Sequence, residues 1–527
     1  MGRFLASVLA VSLSHTPAGL FGQAITAKVV GTVADPSGAA VPNADVTITN
    51  ADTNQTRTSR TDSSGHYEFP FLPVGPYTLS VTASGFQTTN IGRFTLSVDQ
   101  VARLDVALTI GQSAQTVEVS AGALLLQSEN ATVGTVIDAK QVVELPLNGR
   151  SFVQLALLTP GVNPGTPGSI TVRRLRGSVG QAVGMSANGA RDTQNRFYYD
   201  GIEAMDLDSY SFSFSPSVDA INEFKVQSST YSAEVGGAPG GQVNLTTKSG
   251  SNALHGGAWW FNRNDAFTAL NAFQPRVAGA KPPRLNRNQF GANIGGPVFL
   301  PKAYKGKDKT FFFFNWESGR QVAGSFGGTG FVPPAALRSG DFSGVAAQIF
   351  DPVTRQPFPG NRIPANRIAG YASKFLEAWV PLPNANDPGI NYRGPRAAAP
   401  INQDQYIARI DHVFSERDSI NGSYIYNDQS DDTVPSFVWD TRGNAARAQN
   451  LSLAETHVFS PSVVNEARIG WHRFFEHEFF GTTDKPQYDI GNQLGIAVLA
   501  TRPSDFLTTR FNICFKLAVV MFMGPRD

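Results

Sequence analysis

Between Gln405 and Asn427 apolar and polar residues alternate with a period of two, the mark of a β-strand with chemically different faces. Tyr406, Ala408, Ile410, His412 and Phe414 share one face, and Gln405, Ile407, Arg409, Asp411 and Val413 share the other. After a tight Ser415-Glu416-Arg417-Asp418 turn the pattern resumes, with Ile420, Gly422, Tyr424 and Tyr426 against Ser419, Asn421, Ser423, Ile425 and Asn427. A second hairpin follows from Asn450 to Phe459, turns at Ser460-Pro461-Ser462, and sets Ala467, Ile469 and Trp471 opposite Glu466, Arg468, Gly470 and His472. The words His412-Val413-Phe414-Ser415 and His457-Val458-Phe459-Ser460 precede the two turns, a repeat of about 45 residues with a polar loop expected at 429–447. Short turns alternating with long loops, and mostly apolar against mostly polar faces, are the pattern of an outer-membrane barrel. Alternation by itself also suits a soluble sandwich.

The N-terminal pattern is shorter and choppier. Strands are expected at 29–33, 45–50, 67–69, 77–83 and 102–108, separated by Asp35-Pro36-Ser37-Gly38, Asp62-Ser63-Ser64-Gly65 and Pro73-Val74-Gly75-Pro76 turns. Such spacing predicts a small antiparallel sandwich. Between Asn130 and Gly250 the pattern is mixed: a helix over 152–158, strands at 196–199 and 223–227, and glycine-rich turns, hence an α+β unit. The polar stretch 112–128 reads as a linker holding one strand-forming island, Thr116, Val117, Glu118, Val119 and Ser120. An isolated strand of this kind can be captured by edge addition, or it can be the last strand of the sandwich.

Composition narrows the class. In 527 residues, 43 Lys and Arg balance 42 Asp and Glu, so no electrostatic footprint for nucleic acid is present. Charged residues make up 16% against 51 glycines and 11% aromatics, which suits a mainly β chain. The single cysteine, Cys514, excludes an internal disulfide framework. Arg3, the apolar run 4–13 and Gly22-Gln23-Ala24 have the form of a signal peptide over 1–24. No later run of about 18 apolar residues occurs, so any membrane crossing has to use strands. Aromatic clusters at 259–261, 311–316 and 474–480 suit interfacial girdles.

Three sets of words carry family resemblances. The string Gly31-Thr32-Val33-Ala34-Asp35-Pro36-Ser37-Gly38, with Val41-Pro42-Asn43-Ala44 and Asp62-Ser63-Ser64-Gly65-His66-Tyr67, resembles the carboxypeptidase regulatory-like domain, an accessory sandwich without catalytic residues. Leu145-Pro146-Leu147-Asn148-Gly149-Arg150-Ser151-Phe152 and Leu157-Leu158-Thr159-Pro160-Gly161-Val162 resemble the start of the plug of Oar-like TonB-dependent outer-membrane receptors. Ser186-Ala187-Asn188-Gly189-Ala190-Arg191, Tyr199-Asp200-Gly201-Ile202-Glu203, 217–226 and 240–250 continue that resemblance in order. It implies a signal peptide at 1–24, a sandwich at 25–111, a linker at 112–128, a plug at 129–250, a partial transmembrane antiparallel barrel at 251–510 and an atypical tail at 511–527. It also implies residence in the outer membrane with the sandwich in the periplasm. The partners it implies are a TonB-type energy-coupling protein, outer-membrane lipid and an unidentified extracellular ligand, with Thr116–Ser120 in the place of the TonB box. Such barrels need roughly 22 strands and end on an aromatic residue, whereas this chain ends Gly-Pro-Arg-Asp. Truncation or a frameshift after about Thr509 is therefore expected.

Chemistry of other kinds finds no footing. The seven histidines form no His-Glu-x-x-His motif, no Gly-x-Ser-x-Gly elbow occurs, and the glycine run at 236–241 lacks the Lys-Ser/Thr of a phosphate loop. His472 and His477, five apart, are expected on opposite faces of a strand, and Asp428, Asp431 and Asp432 lack calcium-loop spacing. No enzyme, cofactor or metal is assigned. The competing reading is a secreted β-sandwich adhesion or carbohydrate-binding protein.

Overall fold

The structure is a computed structural model that describes residues 25–111, 116–119, 132–165, 184–206, 210–229, 231, 237–270, 272, 282, 284–324, 329–386, 389–394, 398–433, 442–460, 463–480 and 508–523. The expected signal peptide at 1–24 lies outside the described residues.

The first unit is built from β1 (Ala27–Ala34), β2 (Asp45–Asn50), β3 (Thr56–Arg60), β4 (His66–Leu72), β5 (Gly75–Thr82), β6 (Thr88–Leu96), β7 (Val101–Arg103) and β8 (Val106–Ala107). One sheet pairs β4, β1 and β7, with β8 also on β1; the other runs β3-β2-β5-β6. The apolar members of the alternation point inward, so that Val29, Val46, Ile48, Leu79 and Val81 are buried. Asp35 and Asp62 close their turns alike, each carboxylate accepting from the backbone N–H two residues on, at 2.8 Å in both cases. Gly31 is required where β1 passes Leu104, because a Cβ there would meet the Leu104 carbonyl oxygen at 1.9 Å. β3 and β6 were not expected from the sequence. Their composition, Thr56-Arg57-Thr58-Ser59-Arg60 and a Gly-Arg pair inside 88–96, lacks an apolar run, and pairing to β2 and β5 is what makes them strands.

β9 (Thr116–Val119) adds to β6 in parallel, Thr116 opposite Thr88 and Val119 opposite Ile91, and forms the last strand of that sheet.

The second unit begins with β10 (Val133–Asp138) and the helix Ala139–Glu144. Asp138 caps that helix, its carboxylate accepting from Gln141 N at 2.8 Å while Gln141 answers the Asp138 N–H. A second helix is one turn long, Val153–Ala156, shorter than the expected 152–158. Small ladders β11 (Val162–Pro164) with β12 (Met185–Ala187), and β15 (Met205–Asp206) with β16 (Ser211–Phe212), flank a five-stranded sheet. That sheet is ordered β10-β17-β18-β13-β14, with β13 (Arg196–Tyr199), β14 (Ile202–Glu203), β17 (Ile221–Ser229) and β18 (Gln242–Thr247). Phe152 is fully buried at its centre, edge-on to Phe224 at 5.2 Å.

The third unit is one antiparallel sheet in the order β19-β20-β23-β26-β27-β28-β29-β30. Its strands are β19 (His255–Asn264), β20 (Leu285–Pro297), β23 (Thr310–Gly324), β26 (Ala398–Val413), β27 (Asp418–Thr433), β28 (Arg442–Ser460), β29 (Val463–Phe480) and β30 (Thr508–Met523). Two minor ladders interrupt it, β21 (Phe299–Leu300) with β22 (Tyr304–Lys305), and β24 (Thr329–Gly330) with β25 (Tyr392–Arg393). Among the described residues β19 and β30 are not paired with each other, so the sheet is an open wall. The expected polar loop at 429–447 is largely ladder: Asp428 pairs Arg447 and Thr433 pairs Arg442. Polar residues continue a strand readily where the neighbouring strand supplies ladder and side-chain partners, as Arg447 does for Asp428. β30 runs through the expected 510/511 boundary in register with β29, Met523 opposite Val463.

The wall reverses the usual sense of inside and outside. On β26 and β27, Gln405, Ser423, Asn427 and Gln429 are buried, whereas Ile410 is 53% exposed and Phe414, just past the end of β26, 64%. Apolar inner residues are few and local: Phe313, Ile407, Ile425 and Phe474 join the core of the second unit. The mixed unit therefore sits against the polar inner face of the wall. No helix among the described residues is long and apolar enough to cross a membrane, which says nothing about strands.

Candidate functional site

The chemistry of the molecule gathers where the mixed unit meets the wall and the sandwich. After the helix Ala139–Glu144, Leu145-Pro146 leaves the helical path, and Gly149 (φ 70°) and Arg150 (φ 55°) turn the chain through left-handed backbone. This brings the Arg150 guanidinium to Asp219 on its own unit and to Glu317 on the wall at 3.3 Å. It also stacks over Phe261 at 4.7 Å and Trp259 at 5.5 Å. Ser217 Oγ donates to the same Glu317 at 2.9 Å. Asn148 Oδ1 accepts from Arg263 at 3.0 Å and from Arg287 at 3.1 Å. A cavity of about 700 Å³ opens between this loop and β19–β20, lined in part by Glu144, Pro146, Asn148, Arg263, Arg287 and Gln289.

A second anchor is the Asp200-Gly201 turn joining β13 to β14, a two-residue hairpin with φ 47° and 78°. The Asp200 carboxylate accepts from Thr247 N at 2.9 Å and Thr247 Oγ1 at 2.8 Å, which locks the turn to β18. Its carbonyl then accepts from two wall residues, Ser452 Oγ at 2.9 Å and Arg468 Nη1 at 2.6 Å. Arg468 is paired to Glu466 at 2.8 Å, and Arg409 lies 3.7 Å from Asp200 and 2.9 Å from Asp411. Gly201 is favoured as glycine by its φ of 78°, and a Cβ there would press on the Arg468 guanidinium, 2.3 Å from Nη1.

The third contact joins the sandwich to β17. Alternate residues Glu223, Lys225 and Gln227 face the turn after β6: Lys225 Nζ donates to Asp99 O at 2.8 Å and to its carboxylate at 3.0 Å, and Gln227 donates to the same carboxylate. Glu223 accepts from Val98 N. Burial pushes the Glu223 carboxyl up to about 7, against the opposing pull of the Val98 N–H and the Ser97 hydroxyl.

Of the residues singled out in the sequence, Thr116 to Val119 form β9 at the edge of the sandwich, and Ser120 lies outside the described residues. His472 is buried on the inner face, and His477 lies in the alternate set of β29. Asp428 is held by Arg447 at 2.8 Å and Asp431 is buried on the inner face, so the loop carboxylates do not converge. One grouping that spacing did not reveal is Asp418, Glu455 and His457, whose ligand atoms all lie within 4.8 Å. There His457 Nδ1 is already hydrogen-bonded to Asp418 at 2.5 Å. The anchors of the mixed unit were invisible for a plain reason: Arg150 and Glu317 are 167 positions apart, and no local pattern connects them.

Comparison with known proteins supplies the context. The profile of the outer membrane beta barrel domain matches residues 246–520, more than half of the chain, and that of the carboxypeptidase regulatory-like domain matches 28–109. The TonB-dependent transporter Oar of Myxococcus xanthus is 26% identical over 311 residues, covering 56% of this chain and 27% of that protein. Among solved structures, the outer membrane transporter YddB of Escherichia coli aligns with a TM-score of 0.45 and 12% identity over 66% of this chain and 40% of that one. The ferric enterobactin receptor of Pseudomonas aeruginosa aligns with a TM-score of 0.41 and 11% identity over 73% of this chain and 46% of that one. The chain thus spans about a quarter of the length of the curated relative it matches and less than half of these solved proteins.

Proposed function

Because the chain belongs to the outer membrane beta barrel domain family, we propose that it works as a TonB-dependent receptor that admits an extracellular ligand, still to be identified, across the outer membrane. In this reading the mixed unit is a plug held inside the wall, and the sandwich stands in the periplasm beneath it. A TonB-type protein grips the segment ahead of the plug and draws on it. The observation that carries the reading is the plug's mode of attachment. A folded unit rests on the polar inner face of a wall whose outer face is apolar, and much of its hold is through side-chain ion pairs and hydrogen bonds such as Arg150–Glu317 and Arg468–Asp200. Contacts of this kind exchange with water at small net cost, so a plug fastened by them can be displaced without unfolding the wall.

The segment proposed to be gripped is Thr116–Ser120. Support comes from β9, a short strand at the end of its sheet that among the described residues pairs only with β6, the kind of edge that strand addition uses. Its parallel pairing to β6 spans only four residues, a contact a competing strand can replace. The test is site-directed cross-linking in a Cys514→Ser background: Val117→Cys should form a disulfide with a cysteine-scanned periplasmic domain of a TonB-type protein, and Thr58→Cys, on the opposite edge strand, should not. Equal capture at both positions, or none at 117, would overturn the grip on β9.

A further inference from the structure

We propose that the hairpin between β20 and β23 is a docking site for the anionic phospholipid surface of the periplasmic leaflet. The proposal rests on the reading above only in taking the apolar outer face of the wall as membrane-embedded. Short turns at this end of the wall, and the sandwich packed beside it through Asn54–Asp308 at 2.9 Å, mark it as the periplasmic rim. Here the chain folds back as β21 and β22, with Phe299 61% and Leu300 55% exposed. Lys302, Lys305, Lys307 and Lys309 follow within the same loop, all exposed and none in an ion pair among the described residues. The loop's one carboxylate, Asp308, accepts from the uncharged amides of Asn54 and Asn252 and keeps its charge, so four lysines against one aspartate leave the loop at a formal +3. For a chain whose net charge is +1 this is a concentrated positive patch.

Its placement is fixed by the wall itself. Tyr304 OH is hydrogen-bonded to Thr310 Oγ1, which in turn contacts His412 Nδ1 at 2.6 Å, and Thr310 and His412 are cross-strand partners on the outer face. Phe414 and Phe459 stand exposed on that face beside the same rim, each packed on a histidine ring two residues earlier at 4.3 and 4.2 Å. Phe299, Phe414 and Phe459 are thus exposed at the same end of the wall, with the four lysines in the hairpin that carries Phe299. Apolar and aromatic groups at headgroup depth and cations beside them are the two requirements for gripping anionic lipid.

The test uses the full chain and two vesicle preparations, phosphatidylcholine alone and phosphatidylcholine with phosphatidylglycerol, separated by flotation at low and high salt. The native chain should partition at least about tenfold better onto the anionic vesicles, and the preference should vanish at high salt, since each surface lysine contributes a several-fold gain. A variant carrying Lys302→Gln, Lys305→Gln, Lys307→Gln and Lys309→Gln should still float but show no preference. A control with Arg355→Gln and Lys374→Gln, exposed cations in the loop at the other end of the wall, should retain it. Equal partition of the native chain onto both vesicles, or equal loss in the control, overturns the lipid site. Failure to float on any vesicle strikes at the membrane-embedded face instead.

Discussion

The sandwich and the wall use the same alphabet with opposite meaning. In β2, Val46 and Ile48 are buried and the alternate Thr47 and Thr49 are half-buried on the opposite face; in β26, Ile410 is exposed and Gln405 buried. Both strands alternate with a period of two. What differs is the medium on the far side: water beyond the sandwich, hydrocarbon beyond the wall, where a polar residue is the one that has to be covered. Alternation therefore reports a two-faced strand and leaves open which face is the interior.

Substitutions at matched positions separate the two regions. The largest effect is expected for Ile48→Asp, an unpaired charge in a dry core, which should cost more than about 3 kcal/mol and unfold the sandwich in water. Hydrogen exchange of the full chain should show β2 and β5 losing protection together. Next comes Ile410→Arg. In vesicles it should destabilise the folded chain by about 2–4 kcal/mol, measured by urea titration in the bilayer. In a soluble protein the same exposed position would tolerate arginine within about 0.5 kcal/mol, so an unaltered midpoint would make the wall a soluble sheet.

A third prediction concerns the joint between the regions. Glu223 is protonated up to about pH 7 when docked, whereas in the unfolded chain it ionises near 4.5. Between those values the folded state binds the extra proton, so its contribution is fully present below about 4.5 and is lost as pH rises through 7. The sandwich should be docked more firmly at pH 5 than at pH 8, by up to about 3 kcal/mol. Glu223→Gln, which keeps an acceptor for Val98 N, should flatten that dependence, read as protease susceptibility of the 97–100 turn against pH. The smallest effect belongs to Arg60→Ala. Its pair with Asp45 at 2.7 Å is exposed on both sides, and its loss should leave the protection of β2 and β3 unchanged in the same exchange experiment.

Much of the organisation is legible in the sequence. The Asp-Ser-Gly turns, the short apolar runs of the sandwich and the hairpin beside Ser415 reappear as strands and turns, and the strands on either side of the second expected turn pair as β28 and β29. Less visible were β3 and β6, polar strands that exist only through their neighbours, and the long excursion between β23 and β26. That excursion holds the helix Gly370–Trp379 in place through Arg338, which donates to the carbonyls of Leu376 at 2.8 Å and Val380 at 2.9 Å. Its prolines and scattered apolar residues carry no period to read.

Local rules acting over a few residues, namely side-chain period and turn chemistry, are written in the chain and determined the apolar strands of the sandwich, the hairpins of the wall and which residues of each share a face. Tertiary structure alone decided which face turns inward, that Asn148, Arg150 and Asp200 meet the wall, that Asp99 clasps β17, and that β9 lies on β6. Those outcomes join residues tens to hundreds of positions apart, and their energies come from burial and from charges brought together by folding, which no stretch of sequence expresses on its own.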